Sequence, residues 1–442
     1  MSKMKNLDDY ISLASLLHPS PEIVKHYEDV PEIVDVDNRG FKMVRPLFAH
    51  SNLPAMTGIE RVSENQINFD EEFIYCVYLH HHDALSAKYI YKLPEKVLEA
   101  VRRRKCKLIL DNSLEGDRIT DFVTQIYISS IKYNLPVNQI YYITNNLVGE
   151  YEFQNWKEEH ITLVNDVGGT LNGKENDLNL LSFMYNVSDI DRLIDINKLP
   201  AEIDLDEEID YKEKNLDKVK HFLKLNRTGR PERDLFMLHI NKNNLYDKFK
   251  VSYATHFGID YLPKHVFPNL RDKANVDSLL AKMPFDIDAS DASNHGEPGN
   301  GPGKYDADLP FNPIHYRNTF MSTVLCAFPF VPNTCHLHSS TFNPMWCGHP
   351  ILQLGPWRSL YQLKLRGFLT FDRWWDESYD DEYYCWGRTK KILEVVDFLS
   401  KKTPEEMLQM YKEMKPILQH NINIMKEYNG EKVLRKFIGY EQ

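Results

Sequence analysis

The sequence predicts an α/β protein with two domains, each built on a parallel β-sheet. Strand-like and helix-like segments alternate from residue 73 to 186 and again from residue 220 to 366, a pattern typical of parallel sheets with helical crossovers. An acidic stretch without apolar periodicity separates the two series, and 442 residues exceed what one core normally holds. We therefore expect two Rossmann-like domains facing a cleft, followed by a C-terminal bracing helix.

The first series begins with an apolar and aromatic run at Phe73. Short apolar runs indicate buried strands, whereas longer segments with apolar residues three and four positions apart indicate helices. Strands are predicted at 73–80, 107–111, 139–144 and 160–164, and helices near 94–104, 119–134, 149–158 and 175–186.

The second series repeats this alternation after the acidic stretch. Strands are predicted at 220–225, 249–255, 319–326 and 351–354, and helices at 231–243, 275–282, from Thr341 to Gly348, and at 357–366. Thr341 is a good N-cap residue for its helix. From Thr403 to about Glu427 apolar residues recur at helical spacing, which is more typical of a packing face than of a cofactor site.

These patterns set the domain boundaries. We expect an N-terminal helical segment at 1–40, a first Rossmann-like domain at 41–198 that holds the acceptor, and an acidic linker at 199–218 with one helical turn. A second Rossmann-like domain at 219–400 would hold a nucleotide, and helices would fill 401–442.

Bulk composition narrows the function classes. With 64 acidic and 53 basic residues, the net charge of −11 argues against a broad nonspecific nucleic-acid surface. The six cysteines form no CxxC pair, which indicates reduced thiols in a cytosol-like compartment. No apolar run reaches the ~18 residues of a membrane span, and the first residues lack a signal-peptide pattern. We expect a soluble cytoplasmic protein.

Two strand-to-helix junctions of the second series suit a phosphate group. Arg227, Arg230 and Arg233 directly follow a predicted buried strand, and guanidinium groups bind phosphate in bidentate fashion. The helix that begins near Ser339, Ser340 and Thr341 offers free N–H groups and a positive dipole end. The alternatives are surface ion pairs at the first junction and an ordinary capped helix at the second.

No motif predicts a metal site. The pair Asp286 and Asp288 is more simply read as the exposed end of a short strand, and adjacent histidines at 80–82 point in different directions. The glycine-rich loop at 294–304 lacks the spacing of a P-loop, and its prolines remove N–H donors.

Four blocks of the second series form a recognisable set: Leu225-Asn226-Arg227 with Arg230-Pro231-Glu232-Arg233, Tyr316 to Val324, Thr341 to Pro350, and Gly367 to Asp380. Together they resemble a family of glycosyltransferase-like proteins from tailed phages and marine viruses, which is related to α-1,3-fucosyltransferases. Weaker likeness is seen at Asp111 to Gly116 and at Ile140 to Asn146. The resemblance covers roughly residues 70 to 400, and it implies the GT-B architecture of two Rossmann-like domains.

The resemblance also implies a set of donor-binding residues. They are Arg227, Arg230, Arg233, Tyr316, Asn318, Ser339, Ser340, Thr341, Asn343 and His349. This chain departs from the family pattern where Ser339 and Ser340 replace a glutamate and a lysine, Asn343 replaces a second lysine, and Cys326 replaces another glutamate. We interpret these changes as a sign of an altered donor.

Sugar transfer also needs a base that takes a proton from the acceptor hydroxyl, on the face opposite the leaving group in an inverting reaction. That base is expected in the first domain. Glu115 and Asp83 each follow a predicted first-domain strand, and Glu115 is preferred because its turn borders the expected cleft.

We therefore expect a metal-independent glycosyltransferase that needs no cofactor beyond its nucleotide-sugar co-substrate. Its acceptor would be a glycan or a hydroxymethylated base of phage DNA, for which residues 102–105 are the one dense basic run. A noncatalytic protein that binds a nucleotide, a glycan or another protein is the main alternative. An enzyme that modifies sugar nucleotides is a weaker one.

Overall fold

The computed structural model describes residues 43–44, 67–78, 90, 93–113, 116, 118–161, 177–195, 199–226, 230–253, 266–283, 285, 314–326 and 334–439. These residues form two compact units. The first comprises the chain up to Ser188 together with residues 334–336 and 429–439. The second comprises residues 189–326 and 337–428.

The first unit is built on a parallel sheet. Its strands are β1 (Met43–Val44), β2 (Phe73–Tyr78), β3 (Cys106–Asn112), β4 (Ile140–Thr144) and β5 (Asn179–Ser182), with helices α1 (Glu95–Arg102), α2 (Ile119–Tyr133), α3 (Gly149–Glu159) and α4 (Tyr185–Ser188). The strands lie in sequence order, β1-β2-β3-β4-β5, and every pair is parallel. Their carboxyl ends therefore meet at one edge of the sheet.

The second unit contains a parallel sheet of β6 (Lys220–Asn226), β7 (Phe249–Tyr253), β8 (Thr319–Leu325) and β9 (Ile351–Leu354). Its helices are α5 (Ile190–Asp195), α6 (Leu205–Lys214), α7 (Pro231–Lys242), α8 (Lys273–Leu280), α9 (Ile314–Arg317), α10 (Ser339–Trp346), α11 (Ser359–Leu365), α12 (Cys385–Ser400) and α13 (Pro404–Glu427).

The order of these strands is β7-β6-β8-β9. The chain passes from β6 to β7 on one side and later returns to β8 on the other side, so the direction of winding reverses between β6 and β8. In open parallel sheets, ligands bind outside the carboxyl ends of the strands at such a switch point.

The two C-terminal helices belong to different units. Helix α13 begins at a capping box formed by Thr403 and Glu406 and packs its apolar stripe within the second unit. Helix α14 (Gly430–Phe437) belongs to the first unit. There Lys107 donates to the carbonyl of Ile438 over 2.5 Å, and the Phe437 ring meets Tyr141 at 5.4 Å between centroids.

This position of α14 explains why the first sheet is buried on both faces. Tyr75, Leu108 and Tyr142 belong to the main core with residues of α1, α2 and α3. Side chains alternate along a strand, so Lys107 and Tyr141 lie on the opposite face, where α14 covers them.

The mixed α/β class with parallel sheets is confirmed, and most predicted elements lie within two residues of the observed ones. The helix expected at 175–186 is wrong, because residues 179–182 form β5, paired with β4. The strand expected at 160–164 does not begin at His160 or Ile161, which are turn and helix, and residues 162–164 lie outside the described part. Leu178 to Leu181 is too short an apolar run for its period to separate strand from helix.

The acidic segment 199–218 is more ordered than the single turn that we expected. Asp204 caps α6 by accepting from the N–H groups of Asp206 at 2.8 Å and Glu207 at 3.2 Å. Glu207 and Glu208 pair with Arg317. Tertiary ion pairs thus stabilise a helix whose apolar periodicity is weak. Within the described ranges no helix combines the length and apolar character needed to cross a bilayer.

Candidate functional site

The candidate site lies at the carboxyl edge of the second sheet, where β6 and β8 end. Phe222, Lys224 and Asn226 alternate along β6 on the face covered by α7, as shown by the position of Lys224 over the Phe236 ring of α7, 4.2 Å from its centroid. The β6 strand ends at Asn226, and α7 starts only five residues later. This short connection brings the N-terminus of α7 beside the strand ends.

Lys224 is a fully buried cation at this edge. Its ammonium donates one long hydrogen bond, 3.4 Å, to Asn226 Oδ1 and otherwise faces the Phe236 ring. Burial is the largest cause that lowers the pKa of Lys224 well below its usual value, and nearby Arg233 lowers it further. The charged form is therefore short of compensating partners.

Arg230 and Arg233 add two guanidinium groups at the start of α7. Arg233 Nη2 donates to the carbonyl of Leu325 over 3.2 Å, which ties α7 to the end of β8. Burial lowers the pKa of Arg233, and the charge of Arg230 acts in the same direction while Glu232 opposes it. The cations thus lie close enough to repel one another.

Two further polar side chains at this edge have unused hydrogen-bonding atoms. Asn226 is 3% exposed, and its Nδ2 has no hydrogen-bond partner among the described residues. Glu232 is 1% exposed, and its Oε1 has no such partner there either. Burial raises the pKa of Glu232, although the neighbouring Arg233, Arg230 and Lys224 partly offset this effect. Protonation of Glu232 would remove one of the two acidic charges in the first turn of α7, the other being Asp234, which accepts from the Tyr253 hydroxyl.

The other wall of the site is the start of α10. Cys326 directly follows β8, and its Sγ lies 3.6 Å from Thr341 Oγ1. Ser339 and Ser340 are exposed in the first turn, and Asn343 has a buried Oδ1 without a hydrogen-bond partner in the described residues. Thr341 is not the N-cap that we expected, because the helix starts two residues earlier and His338 occupies the cap position.

Together these residues form an electropositive recess. The three cations Lys224, Arg230 and Arg233 outnumber the two carboxyl groups of the first turn of α7, Glu232 and Asp234. The N-termini of α7 and α10 add their positive dipole ends. A ligand with two or more negative charges would supply the missing partners. Diphosphate has the charge and the oxygen acceptors that this arrangement requires.

Tyr316, Asn318 and His349 lie at the other edge of this sheet, before the starts of β8 and β9. The Tyr316 carbonyl accepts from His349 Nε2 at 2.7 Å, and Asn318 Oδ1 accepts from the Tyr211 hydroxyl at 2.9 Å. The structure therefore uses these residues for internal packing and does not bring them together with Arg230 and Arg233.

The aromatic and acidic block at 374–380 is also used internally. Glu377 accepts from Thr370 Oγ1 at 2.6 Å and from the Phe371 N–H at 2.8 Å. Asp380 accepts from the N–H groups of Leu360 and Tyr361 and thereby caps α11. The Trp375 ring stacks on Phe371 at 5.3 Å.

Several predicted residues lie outside the described part of the chain. They are Asp83, Glu115, Arg227, the pair Asp286 and Asp288, and His80 to His82. In the described ranges no group of three His, Cys, Asp or Glu side chains could hold a metal ion.

Sequence reasoning did not include Lys224, Asn226 and Glu232, which the structure adds to the candidate site. The available signal was the lysine at position 224, in phase with Phe222 on the buried face of a predicted strand. Lysine is rarely buried in full unless it has a partner. A lysine that shares the buried face of a strand with Phe222 is therefore unusual, and this could have been seen in the sequence.

No protein-family model, curated protein or solved structure matches this chain.

Proposed function

We propose that the second unit binds the diphosphate of a nucleotide-sugar donor between the N-termini of α7 and α10, and that the protein transfers the sugar to an acceptor hydroxyl. The observation that carries this proposal is the buried ammonium of Lys224, which makes one long hydrogen bond and lies near the guanidinium of Arg233. A bound anion would compensate both charges.

The same charges suit the chemistry of sugar transfer. As the acceptor oxygen forms a bond to the anomeric carbon, the bond from that carbon to the diphosphate oxygen breaks, and the diphosphate keeps the electron pair. The proton of the acceptor hydroxyl passes to a base, for which the sequence predicts Glu115 or Asp83. Positive groups held in place beforehand stabilise this developing charge. Lys224, Arg230 and Arg233 can do so without a metal ion.

A glycan is favoured over phage DNA as the acceptor. In the basic run at 102–105, Arg102 pairs with Glu95 at 2.6 Å and Arg103 pairs with Asp70 at 3.0 Å. Because these arginines already pair with carboxylates of the first unit, they are less able to neutralise the phosphates of DNA.

Noncatalytic nucleotide binding is the second candidate, and Cys326 favours it. The related family has a glutamate at this position, whereas burial raises the pKa of the Cys326 thiol to about 11. A neutral thiol supplies neither a carboxylate nor a thiolate at neutral pH.

Calorimetric titration of the full chain with UDP-, GDP-, CMP- and dTDP-sugars tests the binding site. We expect one class to bind and Lys224→Met to weaken it at least about tenfold. Lys220→Met is the matched control, because Lys220 lies on the same face of β6 at its amino end and donates to the carbonyls of Tyr246 and Phe249. Equal losses in both variants, or no binding by any nucleotide, would count against the site.

Release of nucleoside diphosphate in the presence of glycan acceptors separates the two candidates. Acceptor-dependent release supports the transferase. Tight binding without release, together with an unmodified donor, supports the noncatalytic binder. A donor altered without any acceptor would instead indicate an enzyme that modifies sugar nucleotides.

A further inference from the structure

The carboxyl edge of the first unit's sheet carries a dense set of buried polar residues. Six of them, none more than 2% exposed, are Asp111, Asn112, Ser113, Thr144, Asn145 and Asn146. The register pairs Asn112 of β3 with Thr144 of β4, so residues 111–113 and residues 144–146 lie at neighbouring strand ends. Ligands approach α/β sheets from the carboxyl ends of the strands.

Glu152 of α3 joins this edge. Its Oε2 accepts from the N–H of Ile119, the first residue of α2, at 3.3 Å and from Asn146 Nδ2 at 3.1 Å. Its Oε1 forms an ion pair with Arg118 Nε at 3.6 Å but makes no hydrogen bond. One oxygen thus holds the local structure together, and the other can still accept a hydrogen bond.

Internal hydrogen bonds satisfy only part of the set. Asn112 Nδ2 donates to the Tyr142 hydroxyl at 3.0 Å, but Asn112 Oδ1, Asn145 Nδ2 and Glu152 Oε1 have no hydrogen-bond partner among the described residues. An unpaired buried polar group destabilises a fold by about 1 to 3 kcal/mol. Three at one edge are better explained by a ligand that pairs with them.

The unused atoms define the chemistry of that ligand. Two are acceptors and one is a donor, and a hydroxyl group can both donate and accept. The described charges at this edge, Asp111, Arg118 and Glu152, leave no positive excess for a phosphate. A cation offers no acceptor for Asn145. A neutral molecule with several hydroxyl groups meets all three demands.

We propose that this edge is a second binding site, for a neutral, hydroxyl-rich ligand of the sugar class, with Asn112, Asn145 and Glu152 as the recognising groups. The proposal goes beyond donor binding by the second unit, because it requires no nucleotide. It names the class of acceptor if the protein is a transferase.

Asn145→Leu is the most informative variant. Asn145 Nδ2 makes no hydrogen bond in the described structure, so leucine removes a binding group without removing a native bond. Asn138→Leu is the matched control, because Asn138 precedes the amino end of β4 and has a buried, unpaired Oδ1. Both variants are expected to retain or raise the melting temperature.

Saturation-transfer NMR on the full chain, with glucose, N-acetylglucosamine, myo-inositol and inorganic phosphate as probes, tests the site. We expect at least one hydroxylated probe to bind, Asn145→Leu to weaken it about fivefold to tenfold, and Asn138→Leu to leave it unchanged. Three outcomes would overturn the proposal: binding of phosphate alone, equal effects of both leucine variants, or no transfer to any probe at millimolar concentration.

Nucleotide binding measured on the same Asn145→Leu protein separates the two proposals. Retained nucleotide affinity with lost sugar binding supports both sites. Sugar binding without any nucleotide binding would leave this second site intact and remove the proposed donor site.

Discussion

Lys212 and His349 donate to the same two backbone carbonyls. Lys212 Nζ lies 2.9 Å from the oxygen of Tyr316 and 2.8 Å from that of Thr319, and His349 Nε2 lies 2.7 Å and 3.0 Å from the same atoms. Carbonyl oxygens only accept, so Nε2 carries the imidazole proton and Nδ1 accepts from the Ser322 hydroxyl at 3.0 Å. The two side chains hold the entry to β8 in one conformation.

This arrangement predicts acid sensitivity. Burial, together with the nearby charge of Lys212, lowers the pKa of His349 to about 3, whereas an unfolded histidine titrates near 6.5. Between these values the unfolded state binds a proton that the folded state excludes, so stability falls as pH decreases. We expect His349 to contribute a loss of about 2 kcal/mol between pH 7 and pH 5.

Urea unfolding of the wild type and of His349→Gln at both pH values measures this contribution. The variant is expected to have a lower free energy of unfolding than the wild type at pH 7. Its free energy of unfolding should also fall by less between pH 7 and pH 5. Parallel losses in the two proteins would contradict the assignment of a neutral imidazole.

Among the described residues two lysines, Lys212 and Lys224, are fully buried, and we expect opposite effects when each is replaced by methionine. Lys212 donates to three carbonyls, those of Tyr316, Arg317 and Thr319, whereas Lys224 makes one long hydrogen bond. Lys212→Met should lower the free energy of unfolding by about 2 to 4 kcal/mol, because it deprives buried carbonyls of a donor. Lys224→Met should leave that free energy unchanged or raise it by about 1 kcal/mol.

Denaturant unfolding at pH 7 compares the two methionine variants directly. A stability loss in Lys224→Met as large as that in Lys212→Met would mean that Lys224 serves the fold. A stable variant that no longer binds nucleotide would show a residue kept for function at the expense of stability.

Glu152 predicts a pH dependence of the opposite sign to that of His349. Burial raises the pKa of Glu152 to about 7, although the Ile119 N–H and Arg118 partly offset it. The folded state then holds a proton that the unfolded state releases above about pH 4.5. The stabilising contribution is complete below that pH and is lost as pH rises through 7, by at most about 3 kcal/mol.

Glu152→Gln keeps the side-chain shape and removes the titration. The free energy of unfolding of the wild type minus that of the variant, followed from pH 4.5 to 8, should therefore decline. A flat difference would mean that the carboxylate is ionised throughout, with Arg118 as its dominant partner.

The sequence predicted the order of most strands and helices, because long apolar stripes such as that of α13 leave little ambiguity. It could not predict β5, because the short run from Leu178 to Leu181 fits both the two-residue period of a strand and the 3.6-residue period of a helix. It placed Arg230 and Arg233 after the end of β6, where the structure has them, and their binding role stays a prediction. It did not predict the burial of Lys224, since that burial follows from how α7 packs on the sheet. His349 shows the converse, because a residue that suggested ligand binding supports the backbone.

Anion binding at the second unit should be coupled to proton uptake by Lys224. The pKa of this ammonium lies well below its usual value because of burial and the nearby Arg233, and a diphosphate beside it would favour the charged form and raise that pKa. Binding therefore takes up protons wherever the free protein has lost them, and affinity should fall as pH rises above the pKa that Lys224 has in the free protein. Titrations with the preferred nucleotide in buffers of different ionisation enthalpy measure the protons taken up.

Lys224→Met should bind weakly with little proton uptake, whereas Lys220→Met should behave like the wild type. A wild-type affinity that is constant as pH rises, with no proton uptake, would mean that the diphosphate does not contact Lys224.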